Sequence, residues 1–157
     1  ALEAARLFNE AEAGLGALAV EAVEAALNRP PPEWDDSAQA LLEEYGRART
    51  SSPRDQLERV ETWIKDAPSA GPIRAALLYA AGMICLRQQL WGKAKAYLLE
   101  SLAVSREAVT LIALARLADT IGDEREAAAY FKEAALAFAG PAKPSPDSTP
   151  ALRAAQR

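Results

Sequence analysis

Apolar residues recur at helical spacing almost from the first position. Leu2, Ala5 and Phe8, followed by Ala11 or Glu12, predict a helix that Gly14-Leu15-Gly16 breaks. Leu18, Val20, Val23, Ala26 and Leu27 give a second helix its apolar face, and Pro30-Pro31-Pro32 stops it, because consecutive prolines cannot continue the hydrogen-bond ladder. Asp35 or Asp36 can cap a third, with Ala38, Leu41, Leu42 and Tyr45 as its stripe, ending near Thr50-Ser51-Ser52. Ser52, Pro53 and Asp55 form a start signal for a fourth, whose face is Leu57, Val60, Trp63 and Ile64 and which ends at Ala67-Pro68.

The second half is more regular. After Gly71-Pro72, helices are predicted from about Ile73 to Gln88 and from Trp91 to Val104, then from about Arg106 to Ile121 and from Glu124 to Ala139. Leu78-Ala81-Gly82-Cys85-Ala94-Leu98-Ser101 and Leu111-Leu114-Ala115-Ala118-Ala127-Phe131-Ala134 are two copies of one pattern, thirty-three residues apart. That period, with small residues where helices must cross, marks stacked helical hairpins. The fold class expected is therefore all-α: a superhelical stack of antiparallel hairpins, about eight helices in all. One domain over residues 1–140 is expected, with hairpins at about 1–34, 35–70, 73–105 and 106–140. Residues 141–157 form a Pro-rich tail with too little apolar content to pack, although Thr149-Pro150-Ala151-Leu152-Arg153 reads as a short helix starting at 150.

Composition agrees with the helical reading. Half of the 157 residues are hydrophobic, alanine dominates, and no alternating β-branched run reaches strand length. The net charge of −4 is unevenly spread: residues 1–36 hold eight acids and two arginines, residues 37–140 hold thirteen acids and thirteen bases, and the tail is basic. No basic face suited to nucleic acid emerges. Lacking histidine and holding only Cys85, the chain cannot by itself form a disulfide framework, a Cys/His zinc site or a histidine general base. No run of eighteen apolar residues exists, so the fragment reads as soluble.

Chemistry competes with packing at a few positions. Cys85, between Ile84 and Leu86 on a packing helix, reads as structural in preference to a nucleophile or haem thiolate. Glu33, Asp35 and Asp36 lack the alternating ligands and central glycine of a calcium loop and suit helix capping. Trp91 either staples adjacent helices or contacts a partner. No cofactor or metal is called for, and the chain reads as non-catalytic.

The two clear units resemble tetratricopeptide repeats: Gly82 with Ala94, and Ala115 with Ala127, stand where small residues meet across each hairpin, with Leu98 and Phe131 as the bulky fillers. They depart from that pattern in having Leu78 and Leu111 for the early aromatic, Cys85 and Ala118 for the tyrosine, and no closing proline. More narrowly, Leu86-Arg87-Gln88-Gln89-Leu90-Trp91-Gly92-Lys93-Ala94 with Tyr97-Leu98 and Ser101-Leu102, together with Arg59, Glu61, Trp63 and Ile64 before Pro68, resembles the C-terminal repeat domain of HemY-type inner-membrane proteins of proteobacteria, over roughly residues 37–140. The resemblance implies a protein-interaction scaffold associated with late protohaem biosynthesis. Its membrane-spanning helices would lie upstream of Ala1, this domain would face the cytoplasm, and haem-biosynthesis enzymes would be candidate partners. An unrelated flavin-dependent oxidase shares the family's name, but no Gly-x-Gly-x-x-Gly follows a strand here. A soluble peptide-binding adaptor or chaperone with no haem connection is the alternative. In such arrays the first helices line a concave groove for protein or peptide, which implies groove positions at Tyr79, Met83, Arg87, Ile112, Arg116 and Asp119. Arg87 and Arg116 would either grip a carboxylate or be solvated helix charges.

Overall fold

The computed structural model describes residues 1–10 and 16–139, and among these every regular element is helical. The eight α-helices are α1 (Leu2–Glu10), α2 (Gly16–Ala26), α3 (Ser37–Arg47), α4 (Pro53–Asp66), α5 (Pro72–Arg87), α6 (Trp91–Val104), α7 (Ala108–Thr120) and α8 (Glu124–Ala139), with a short 3-10 turn at Pro31–Glu33. The expected turn at Gly14-Leu15 and the expected tail helix from 150 lie outside the described residues. Among the described residues no helix is long and apolar enough to cross a membrane.

The helix ends follow local chemistry. Pro53 and Pro72 open α4 and α5 at the first helical position, where a missing N–H costs nothing. Of the two aspartates before α3, Asp36 holds the N-cap position without a side-chain bond, while Asp35 Oδ1 accepts from the first helical N–H, that of Ser37, at 2.9 Å and from the Ser37 hydroxyl, and these bonds hold its carboxyl below the usual range. α3 ends at Arg47, short of the expected end near Thr50-Ser51-Ser52, and residues 48–52 lead to α4.

Helices α5 and α6 pack closely together, as do α7 and α8, and the two connecting turns are the same structure. Leu90 N–H donates to Cys85 O at 3.0 Å, and thirty-three residues on Asp123 N–H donates to Ala118 O at 2.8 Å. Gln89 N–H to Leu86 O and Gly122 N–H to Asp119 O, both 3.1 Å, repeat the correspondence. Each turn needs one left-handed residue to bend these donors back onto the last helical carbonyls: Gly122 at φ 85° in one, Gln89 at φ 58° in the other. Asp123 also caps α8 by accepting from Glu126 N–H at 2.9 Å, where the first unit has Leu90 and no side-chain cap.

In the first half only the second of the two expected hairpins finds its main contact elsewhere. α1 packs on α2, but α3 packs most extensively on α5. α3 and α4 meet through side chains: the Tyr45 and Trp63 rings lie 5.3 Å apart, and Trp34 stands edge-on to Trp63 at the same separation. One core cluster, with Val23, Leu42, Tyr45, Val60, Leu77 and Ile84, joins α1–α5 to parts of α6 and α7. A second, built on Tyr79, Leu98, Leu102, Leu111 and Leu114, seats α7 on α5 and α6. Trp91 is partly buried against the first cluster, the staple role.

Two helix crossings are close enough to exclude a side chain. A Cβ on Gly46 would lie 2.8 Å from Ala80 Cα, and one on Gly82 would lie 2.7 Å from the Leu98 side chain. The Gly46 clash is with backbone, so relief requires moving a helix, whereas the Leu98 side chain can adjust in part. Gly46→Ala should therefore lower stability by about 1–3 kcal/mol, read as a urea midpoint shift, and Gly82→Ala by less. Gln89→Gly should raise stability by roughly 0.5–1 kcal/mol, the left-handed strain of a residue with a Cβ outweighing the entropy of the added glycine.

Candidate functional site

The six expected groove positions divide between the inside and the outside of the protein. On α5, Tyr79 is only 4% exposed and packs in the second core cluster, with the Arg47 guanidinium near its hydroxyl. Burial raises the Tyr79 hydroxyl pKa while Arg47 opposes the rise. Met83 is partly buried and lies beneath the α3 crossing, its Cβ 3.5 Å from where a Gly46 Cβ would stand. Arg87 donates to Gly46 O and, at 3.3 Å, to Gln56 Oε1. On α7, Ile112 is partly buried and Arg116 and Asp119 are exposed. Tyr79, Met83 and Arg87 are under or beside α3, Ile112 is partly buried against the second core cluster, and Arg116 and Asp119 face outward.

Arg87 belongs to a structural device. The last carbonyls of a helix have no partner in the ladder and must find donors elsewhere. At the end of α3, Gln56 Nε2 donates to Tyr45 O at 2.7 Å while Arg87 takes Gly46 O, so α4 and α5 both clamp α3. Gln56 is 3% exposed, a buried amide whose two ends are occupied by Tyr45 O and Arg87. Burial pushes the Arg87 pKa down to about 10, with Arg49 acting in the same direction, which leaves the guanidinium charged at neutral pH. Sequence reading missed Gln56, though a signal was there: it falls one turn before Val60 on the apolar stripe of α4, where a polar residue demands a partner.

Other polar contacts tie helices together. Glu61 of α4 accepts from Lys93 Nζ at 2.8 Å and Tyr97 OH at 2.7 Å on α6, and these two bonds lower its carboxyl pKa. Tyr45, buried completely, donates to Glu24 at 2.7 Å, which also faces Arg59 at 3.8 Å. That pair borders a cleft of about 260 Å³ lined by Val20, Glu21, Thr50 and Asp55, and a second cleft of about 480 Å³ runs between Arg54, Glu58, Lys65 and Leu90. Both are open surface depressions in which acids and bases face each other. Cys85 is completely buried and its pKa is raised by burial, so it is held as the unreactive thiol. Among the described residues no group of three Cys, Asp or Glu side chains is arranged to hold a metal ion.

Arg87→Ala should cost about 1.5–3 kcal/mol, since it strips a charged donor from a partly buried carbonyl and from Gln56. Thermal and urea unfolding measure this, and an unchanged midpoint would mean that water replaces the guanidinium at Gly46.

Compared with known protein families, the chain has no match. None of the curated proteins matches it. No solved structure matches it either.

Proposed function

We propose that this chain is a non-catalytic protein-interaction scaffold, a superhelical stack of tetratricopeptide-like hairpins. The observation that carries the reading is the turn that recurs at thirty-three residues with the same three-dimensional hydrogen bonds, around Gln89 and around Gly122. A duplicated hairpin with small residues at the crossing is a unit that stacks on its neighbours and presents long surfaces. The buried, uncharged state of Cys85 and the opposed charges of the two clefts favour holding over chemistry.

The finer reading is the cytoplasmic-facing repeat domain of a HemY-type inner-membrane protein associated with late protohaem biosynthesis. Its support is the sequence resemblance centred on Leu86–Ala94 and Tyr97–Leu98. Photo-crosslinking of the tagged native protein in its own membranes, followed by mass spectrometry, should recover enzymes of late haem synthesis. Recovery from the soluble fraction with only unrelated client proteins would favour the peptide-binding adaptor instead.

A further inference from the structure

Where α7 is seated on α5 and α6, two hydroxyls lie inside an otherwise apolar joint. Ser101 of α6 is 0% exposed and Thr110 of α7 is 1% exposed. The repeat sets them apart: thirty-three places after Ser101 stands Ala134, and thirty-three places before Thr110 stands Leu77, both buried and apolar. A hydroxyl withdrawn from water is costly unless its hydrogen bonds are completed. Ser101 has one proton, and it goes to Ala75 O at 2.8 Å. Towards Thr110, 3.4 Å away, the Ser101 oxygen can therefore only accept, so the Thr110 proton is spent there and no donor serves the Thr110 lone pairs. That separation also exceeds the roughly 2.5–3.0 Å of a firm O–H···O bond.

Both residues line a cavity of about 10 Å³, close to the volume that admits a single water. Buried Tyr79 shares its wall, and its lining also includes the partly buried side chains of Gln39 and Glu43 from α3 and of Glu107, just ahead of α7. Glu107 already accepts from Ser105 Oγ at 2.7 Å, whereas Gln39 reaches Glu43 only at 3.5 Å, so Glu43 has the more acceptor capacity to spare. We propose that this cavity is a binding site for one long-lived water, which donates one proton to Thr110 Oγ1 and the other to the Glu43 carboxylate. The ligand follows from size and from the proton count, since a chloride ion would add one more acceptor and leave Thr110 unserved. The water completes a chain of hydrogen bonds from Ala75 O through Ser101 and Thr110 to Glu43, and so links α5, α6, α7 and α3.

A crystal structure of the whole chain, at a resolution that shows solvent, should place a water within hydrogen-bond distance of both Thr110 Oγ1 and Glu43. Oxygen-17 relaxation dispersion tests the same site in solution, because it counts waters that stay bound while the protein tumbles. Thr110→Val keeps the shape of the side chain and removes its lone pairs, and should lose one long-lived water. Glu43→Gln keeps an acceptor and should retain the count. If the valine variant fails to fold, the crystal structure of the unaltered chain decides alone. A cavity without water density overturns the proposal, as does a water that bypasses Glu43, a Glu107 carboxylate turned inward onto Thr110, or an unchanged count in Thr110→Val.

Discussion

The carbonyl end of α3 governs how the molecule is put together. Where the backbone of a helix end is drawn inside a protein, each unsatisfied carbonyl costs about 1–3 kcal/mol, so its position is dictated by wherever donors can be brought. Here Ala48 N–H serves Glu44 O and, at 3.3 Å, Tyr45 O, and the further donors come from two other helices, Gln56 on α4 to Tyr45 O and Arg87 on α5 to Gly46 O. Arg87 can reach Gly46 O because Gly46 has no side chain, which lets α3 and α5 touch at Ala80. Crossing and cap therefore require one another. A side chain at Gly46 would push α3 away from the guanidinium, and loss of the guanidinium would leave the crossing to bury a bare carbonyl.

This arrangement sets the surroundings of the expected groove positions. An array of equal hairpins would leave the first helices side by side with one face open. In this chain α3 is drawn onto α5, so Tyr79 and Met83 are used for packing and Arg87 for capping. The α7 side lacks such a cover, and its polar residues remain outside. Surface ion pairs reinforce the order of the later helices: Lys95 reaches Glu126 at 2.8 Å, and Arg106 reaches Glu133, each linking α8 to an earlier part of the chain. Such exposed pairs contribute little to stability, about 0–1 kcal/mol each, and act mainly on the angle at which helices sit.

The two clear units share a turn but not its chemistry. Gly122 and Asp123 supply the left-handed residue and the helix cap that the turn favours, while Gln89 and Leu90 occupy the same places with neither advantage. The first unit tolerates this because α5 is buried on many sides, with ten of its residues in the core, so tertiary packing supplies what local chemistry does not. The second unit sits at the end of the described chain, with only one side covered, and its local signals are correspondingly stronger.

The helices and several of their starts were legible in the residues: proline at the start of α4 and α5, the aspartates before α3, the thirty-three-residue repeat and the small residues at its crossing. Those features act over a few residues or one hairpin, where spacing alone determines which groups meet. The positions of Trp91 and Cys85 as packing groups were readable for the same reason. What only the tertiary structure decided is the partner of α3 and hence the fate of Tyr79, Met83 and Arg87. Gln56, Gly46 and Arg87 are separated by ten to forty-one residues of chain, and no periodicity reveals that a guanidinium on one helix completes the carbonyl end of another. Hydrophobic pattern says which face of a helix is buried, but which neighbour buries it depends on backbone approach and on where unpaired carbonyls find donors, and both exist only once the chain has folded.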